Sequence, residues 1–445
     1  MVDPGPFGTT CARVGCMPSK LLIAPAEAVH KASMGALFGF DASVTVDTRR
    51  VMARVKAERD RFVGFVQEDI QAHIDAGRLL PVRGRVLDHH TVEAGDTRIE
   101  AKAIVVATGS SPWTPPPFRH LGPEVTLDNE GLFDLDELPR SVLVVGPGVI
   151  GLELGQALHR LGVRVTIVGI GGLIGPFQDP KVRAKAAEIF KAELDLHIDY
   201  TLELIEQHEG GVRCCFLQDD GAHRDEVYEK VLVAAGRRPN LRGFGLEELG
   251  IEPDAQGKIN CDPQTCQVGD TNLFVAGDAS NHRPLLHEAS DDGRVAGANA
   301  AEYPRVAAYP RRTPLAVVFT DPQMSVVGDA WKLHNCTDHR AGEVSYHNQG
   351  RARVMGENKG LVRIYGRKVD GMLRGAEMLG PSVEHTGHLL AWAIQRRTTV
   401  DQALEMPFYH PTVEEGIRTA LRDLRSNLRH RRPVGAQCDE FASGD

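Results

Sequence analysis

The sequence predicts an α/β fold, and three stretches of its 445 residues carry that prediction. The first, LPRSVLVVGPGVIGLELGQALHRLGVRVTIVGI (138–170), reads as strand, glycine turn, helix and strand, a βαβ unit. The second, AIVVATGSSP (103–112), is an apolar run ending in a glycine turn. The third, TNLFVAGDAS (271–280), again runs from strand into turn, with a helix after it. Short apolar runs bounded by turn residues are how strands buried on both faces of a parallel sheet look. Two Rossmann-like units are therefore expected. From Thr313 the pattern changes to alternating strands and amphipathic helices, which reads as an α+β region.

The remaining elements fall between these. SKLLIAPAEAVHKA (19–32) looks helical. VMARVKAERDRFVGFVQEDIQAHI (51–74) repeats apolar residues at three and four positions, so it should be a helix with one buried face. LLPVRGRVL and HTVEAGDTRI read as a small hairpin system. The proline-rich SPWTPPPF (111–118) can be neither a central strand nor a helix interior, and is expected as a linker. KVLVAAGRRPN (230–240) adds another strand and turn. The implied division is one domain from 1–112 and 241–312, a second inserted at 113–240, a third at 313–430, and a polar, disordered tail at 431–445.

Composition excludes several functions. Hydrophobic (42%) and charged (25%) fractions are those of an ordinary globular protein. A net charge of −9 without a large basic block argues against nucleic acid as a main partner. No run approaches the roughly 20 apolar residues of a membrane helix. The start, MVDPGPFGTTCARVGC, has no charged and apolar regions of a signal peptide. Eight cysteines are too few for a disulfide scaffold, and a cytoplasmic location is expected. No metal site is assigned.

Gly146, Gly148 and Gly151 form G-x-G-x-x-G after the strand Val142–Val145 and before a helix. In this context the glycines allow a tight turn, backbone approach to a pyrophosphate, and close helix packing. The helix N-terminus, with Val149 and Ile150 in its first turn, then offers N–H groups to the anion. The second strand ends at Val168-Gly169, where a carboxylate would suit NAD and a nearby Arg would suit NADP. Gly169 supplies neither, and Arg164 lies at the wrong end of the strand, so the choice stays open.

Cys11 and Cys16 stand four residues apart in GTTCARVGCMPSK, and such a pair can bridge if its backbone geometry allows. The spacing alone is weak, because Cys261 and Cys266 share it and read as incidental. Cys214 and Cys215 are adjacent in a strand-like segment and should face opposite sides.

The flanks of Cys11 and Cys16 resemble the redox-disulfide segment of the pyridine nucleotide–disulfide oxidoreductases, and most of all their dihydrolipoamide-oxidising members. The resemblance continues through ATGS (107–110), GPGVIGLELG (146–155), AAGRRPN (234–240), LFVAGDAS (273–280), FTDPQMSVVG (319–328) and HPTVEE (410–415). It implies an FAD-binding domain, an NAD(P)-binding domain and a dimerisation domain. By this resemblance Cys11 is the interchange thiol and Cys16 faces the flavin. Lys20, paired with Glu153, lies beside the flavin. Gly84, Thr108, Gly109 and Ser110 line the FAD site, and Asp278 binds the ribityl chain. Leu286 and His287 begin a helix aimed at the flavin, and Gly236 borders the nicotinamide nucleotide. His410, oriented by Glu415, exchanges protons with the thiols of the other subunit, so the active unit is a homodimer.

The sequence also departs from the family. The opening strand, G-x-G-x-x-G turn and helix that bind the ADP half of FAD, about 30 residues of a βαβ unit, precede nothing here. Asp3 matches the acid that binds the adenosine ribose. A sheet without its central strand leaves neighbours short of backbone partners. Two readings follow: translation starts upstream, which the intact catalytic residues favour, or the chain is a natural fragment with weak or no FAD binding. Phe408 stands where many members carry a second His.

The expected function is FAD-dependent electron transfer between a dithiol, dihydrolipoamide by resemblance, and NAD(P), with a 2-oxo acid dehydrogenase complex as a candidate partner. The alternatives are a non-catalytic nucleotide-binding, dimerising remnant, or a reductase of another disulfide or of mercuric ion. The mercuric type usually has a C-terminal Cys pair, and only Cys438 lies near this C-terminus.

Overall fold

The computed structural model describes residues 1–218, 220–329, 331 and 338–429, so the expected polar tail and Cys438 lie outside the described residues. The expected α/β class is what the chain adopts. Its centre is a parallel sheet of β2 (Thr126–Leu127), β3 (Ser141–Val145), β4 (Arg164–Val168), β5 (Asp195–His197) and β6 (Lys230–Val233). The strand order is β2-β6-β3-β4-β5, and every pairing in it is parallel. All five residues of β3 are buried, which is why SVLVV shows no alternation.

Helices α1 (Cys16–Ser33), α2 (Thr48–Asp75) and α3 (Val149–Arg160) bury their apolar faces together. Leu22 and Ile23 of α1, Met52 and Val55 of α2, and Leu152 and Leu158 of α3 share one core with Val142 and Val144 of β3. The long helix is thus the amphipathic one read at 51–74, begun three residues earlier by Asp47, whose carboxylate caps Arg50 N.

The first nucleotide-binding unit has only a small parallel sheet: β1 (Ile104–Val106) pairs with β7 (Leu273–Val275), and Val2 makes a lone parallel bridge to Leu80. Val105 on the outer edge of β1 is exposed. The hairpin system is a three-stranded antiparallel sheet of Gly84–Val86, Thr91–Ala94 and Thr97–Glu100. The linker is partly strand, because Ser110–Pro112 pairs antiparallel with Arg237–Pro239 where the chain enters and leaves the central unit. Edge pairing over three residues tolerates the proline. Cys214 is fully buried and Cys215 half-buried on the strand Gly211–Leu217, consistent with opposite faces.

The C-terminal region is an antiparallel sheet of β8 (Leu315–Val318), β9 (Gln323–Gly328), β10 (His339–Ser345), β11 (Leu361–Arg367) and β12 (Leu373–Gly380). Its order is β8-β9-β12-β11-β10. Helix α6 (Val383–Gln395) packs on β9 and β12, and α7 (Glu414–Arg429) packs on β10 and β11. Leu389 and Trp392 of α6 remain exposed, as do Met406 and Tyr409.

A buried polar staple ties this sheet to the central unit. Asp179 caps helix α4 (Pro180–Lys191) and is fully buried. Its carboxylate accepts from Arg363 Nη1 at 3.0 Å and from Tyr365 OH at 2.9 Å. Glu377 accepts from Gln178 N and Asp179 N, both at 3.0 Å. Burial, and then the Asp179 carboxylate, push Glu377 up to about 7. Arg363→Ala would leave the Asp179 carboxylate buried without its cation, and should cost about 3–5 kcal/mol. Urea unfolding of the two proteins measures this; an unchanged midpoint would mean that the staple is not stabilising.

Candidate active site

Cys16 is the first residue of α1, and Gly15 before it offers no side-chain cap. The first N–H groups of the helix are therefore free to favour negative charge at this end. Cys11 lies on the short helix Thr10–Val14, turned into place by Thr9, whose hydroxyl accepts from Ala12 N at 3.2 Å. Both cysteines stand as free thiols. The Cys11 thiol hydrogen-bonds to Cys16. That bond, aided by the Lys20 ammonium against the effect of burial, lowers Cys16 to about 7. The same bond, together with burial, raises Cys11. The hydrogen bond thus favours the thiolate at Cys16 and the thiol at Cys11.

Lys20 lies one turn along α1. Its Nζ donates to Glu153 Oε2 on α3 at 2.7 Å and to Ser19 Oγ at 3.2 Å, and sits 4.5 Å from the centre of the Phe319 ring. Glu153 is buried and also accepts from Phe319 N at 2.8 Å, so its charge is matched on both oxygens.

A chain of hydrogen bonds leads from Val14, between the two cysteines in sequence, to the turn after β7. Asn129 Nδ2 donates to Val14 O at 2.7 Å, and Arg237 Nη1 donates to Asn129 Oδ1 at 3.4 Å. Arg237 Nε donates to Ser110 Oγ at 2.9 Å, which in turn donates to Asp278 Oδ2 at 2.9 Å. Thr108 Oγ1 donates to Asn240 O, and Asn240 Nδ2 returns a bond to Thr108 O at 3.2 Å. Gly109 completes this turn with φ 70°. Helix α5 (Leu286–Glu302) begins at exposed Leu286 and His287 and has no side-chain cap. Arg237 and Asn129 were not singled out by sequence. Arg237 lay inside the quoted AAGRRPN stretch; nothing local marked Asn129.

Asp3 and Gly84 form a separate group. Asp3 N donates to Leu80 O at 3.1 Å, its carboxylate accepts from Gly5 N at 2.9 Å, and Gly84 packs against Val2. Among the described residues no hydrogen bond joins this group to Asp278. These placements test the fit of FAD. Asp278, the Thr108–Gly109 turn and the uncapped start of α5 give an acceptor, backbone groups and N–H donors, which fits a flavin and its ribityl chain. A pyrophosphate needs a cradle, a glycine loop that leads into the N-terminus of a helix.

The loop after β3 has that cradle. Gly146 has φ 108°, and a Cβ on it would lie 2.6 Å from Ala234 O. A Cβ on Gly151 would lie 1.9 Å from Gly146 O, so the helix can approach only as glycine. Gly148 caps α3 with no side-chain bond and faces open space. Val149 and Ile150 form the first turn, with Val149 exposed. Gly236, three residues past the end of β6, is also open above its Cα. Strands β3 and β6 are neighbours from which the sheet order runs in opposite directions, the crevice where open α/β sheets take ligands. Arg164, the first residue of β4, is tied to Glu226 and to Val227 O.

His410 stands before α7, 80% exposed, with Nδ1 2.9 Å from Glu415 Oε2. Glu415 also accepts from Thr412 N at 3.4 Å. Among the described residues no hydrogen bond joins this dyad to Cys11 or Cys16 of the same chain. No group of three or more His, Cys, Asp or Glu among the described residues is placed to hold a metal. No described helix is long and apolar enough to cross a membrane.

Similarity to known proteins agrees with this geometry. Dihydrolipoyl dehydrogenase of Geobacillus stearothermophilus is 30% identical over 425 residues, covering 93% of this chain and 88% of the relative. That of Halobacterium salinarum is 29% identical over 432 residues, covering 94% and 90%. The crystal structure of LpdA from Mycobacterium tuberculosis superposes with a TM-score of 0.79 at 26% identity, over 95% of this chain and 92% of that one. The HOCl-induced flavoprotein disulfide reductase RclA of Escherichia coli, as its Cu(II) complex, gives 0.77 at 21% identity over 96% and 93%, a likeness of fold alone. Residues 315–421 match the dimerisation domain of the pyridine nucleotide-disulphide oxidoreductases. Residues 1–293 match the pyridine nucleotide-disulphide oxidoreductase model itself, and the chain belongs to that family.

Proposed function

We propose that the chain oxidises dihydrolipoamide through Cys11 and Cys16 and delivers the electrons to NAD(P)⁺. The enzyme class is that of the family: a flavoprotein disulfide oxidoreductase that uses FAD and NAD(P) and dimerises through residues 315–421. The observation that carries the residue assignment is the split of the two thiols, Cys16 lowered to about 7 beside Lys20 and Cys11 raised. The relatives' name and the CMPSK flank support dihydrolipoamide as the dithiol.

In the proposed cycle one substrate thiol loses its proton to His410 of the other chain and attacks Cys11 of the Cys11–Cys16 disulfide. Cys16 leaves as thiolate, which its low pKa favours. The second substrate thiol then loses its proton to solvent water and attacks the mixed disulfide, Cys11 leaves and takes the proton from His410, and the substrate departs as disulfide. Glu415 holds the imidazole tautomer and steadies its cation. When bound at the residues named below, FAD would supply the two-electron redox chemistry between the cysteines and the nicotinamide. Lys20, with Glu153, positions the charge beside Cys16. Thr108, Gly109, Ser110, Asp278 and the start of α5 at Leu286 and His287 hold the flavin half. Gly84 and Asp3 border the adenosine half. Gly146, Gly148, Val149, Ile150, Gly151, Gly169 and Gly236 form the nicotinamide-nucleotide site. The domain division at 112, 240 and 312 belongs to the same reading, as does a 2-oxo acid dehydrogenase complex as the source of the dithiol. A cytoplasmic location suits cysteines that all stand free among the described residues.

The second reading is a non-catalytic, nucleotide-binding and dimerising remnant. Flavin absorbance of the purified chain, before and after added FAD, separates the two. Stoichiometric flavin together with dihydrolipoamide-dependent reduction of NAD(P)⁺ is the expected result. A colourless protein that takes up no FAD would sink the enzymatic reading for this chain.

A further inference from the structure

We propose that Asp199 binds the adenosine ribose in place of the acid missing at Gly169, and so makes NAD the coenzyme. The inference rests on the nicotinamide-nucleotide site at Gly146–Gly151 and concerns which of two nucleotides that site accepts.

In a βαβ nucleotide unit the ribose lies over the end of the second strand, where a carboxylate receives its hydroxyls. Here that strand is β4, and Gly169 follows it. The structure shows why no side chain can stand there. A Cβ on Gly169 would lie 2.4 Å from both Cδ and Cγ of Pro147, the middle residue of the Gly146–Gly148 turn. Pro147 is held in that place, because its carbonyl accepts from Gly175 N at 2.8 Å. The proline in the loop and a carboxylate at 169 therefore exclude each other.

The neighbouring strand supplies an acid instead. β5 runs parallel to β4, with Val168 opposite His197, so both strands end on the same edge of the sheet. Beyond these ends the two loops are knitted together. Gly169 N donates to His197 O at 2.7 Å, Gly172 N to Ile198 O at 3.1 Å, and Tyr200 N to Gly169 O at 2.8 Å. Asp199 lies at the centre of this seam, and its Oδ1 accepts from Gly171 N at 2.9 Å. Its carboxylate is thereby anchored two residues past the position where the usual acid would stand. The side chain is exposed, so its remaining lone pairs are open to ribose hydroxyls.

The same placement opposes a 2′-phosphate. Residues 169–175 read GIGGLIG and hold no Lys or Arg. Arg164, the cation on β4, is at the far end of the strand and occupied by Glu226. A 2′-phosphate would meet the Asp199 carboxylate with no cation from this loop to offset it, and like charges in contact are strongly unfavourable. Exposed Ile170 and Leu173 on the same loop add apolar surface suited to an adenine ring.

Equilibrium titration of NADH and NADPH fluorescence against the purified protein, Asp199→Asn and Asp199→Ser tests the assignment without requiring turnover. The Asn variant keeps an oxygen for Gly171 N and removes only the charge; the Ser variant shortens the side chain and guards against a folding defect in the first. The unaltered protein should bind NADH at least about tenfold more tightly than NADPH, and both variants should bring the two within about threefold. A structural disturbance of the loop would weaken both nucleotides and leave their ratio alone. Equal binding by the unaltered protein, a preference for NADPH, or a ratio unmoved in both variants would overturn the role of Asp199. Failure to bind either nucleotide would instead overturn the nucleotide site itself, and the coenzyme assignment with it.

Discussion

Cys16→Ser is expected to reduce dithiol-linked reduction of NAD(P)⁺ by more than about a thousandfold, as loss of a reacting group does elsewhere. The hydroxyl cannot form the disulfide that accepts electrons from the substrate. The fold should survive, because Cys16 is exposed and serine suits the start of a helix. The reason for choosing this thiol rather than Cys11 is electrostatic. A group lowered from 9.0 to about 7 is thiolate above that pH and loses its charge as pH falls through it. Alkylation of Cys16 in the reduced protein should therefore rise with a midpoint near pH 7, while Cys11 stays slow throughout. Peptide mass spectrometry after timed alkylation reads both residues at once. Equal rates for the two thiols, or turnover retained in the serine variant, would remove the disulfide mechanism.

His410→Ala comes second, with an expected loss of about 10²- to 10⁴-fold in the same assay, the range of a general acid–base group. Glu415→Gln should cost less, because it keeps an oxygen for the imidazole N–H and removes only the charge. The loss must be confined to thiol exchange. Transfer from NADH to an artificial electron acceptor, which bypasses the substrate thiols, should persist in the His410 variant. If both activities fall together, the residue is structural. If neither falls, the exposed imidazole has no part in the chemistry.

Much of this site was legible in the sequence because its parts are local. The turn from Gly146 to Gly151 announces itself by spacing, and its glycines meet backbone at distances no side chain could enter. The thiols were legible only through their flanks, since Cys261 and Cys266 repeat the same interval but are buried and raised by burial. Arg237 and Asn129 could not be read, because their link spans 108 residues and the bond from Asn129 to Val14 O spans 115. The staple through Asp179 and Arg363 is hidden for the same reason, with 184 residues between its partners. Gly169 shows the limit most clearly. The missing acid was visible in the sequence; Pro147 beside Gly169 and Asp199 past the end of the next strand required the sheet.

The position of His410 has a genetic consequence. In the proposed dimer each site takes its cysteines from one chain and its imidazole from the other. A gene altered at Cys16 and a gene altered at His410 would each encode an inactive homodimer. Expressed together, their products would mix, and each mixed dimer would contain one whole site assembled from the sound half of each chain. Two null alleles would then complement each other.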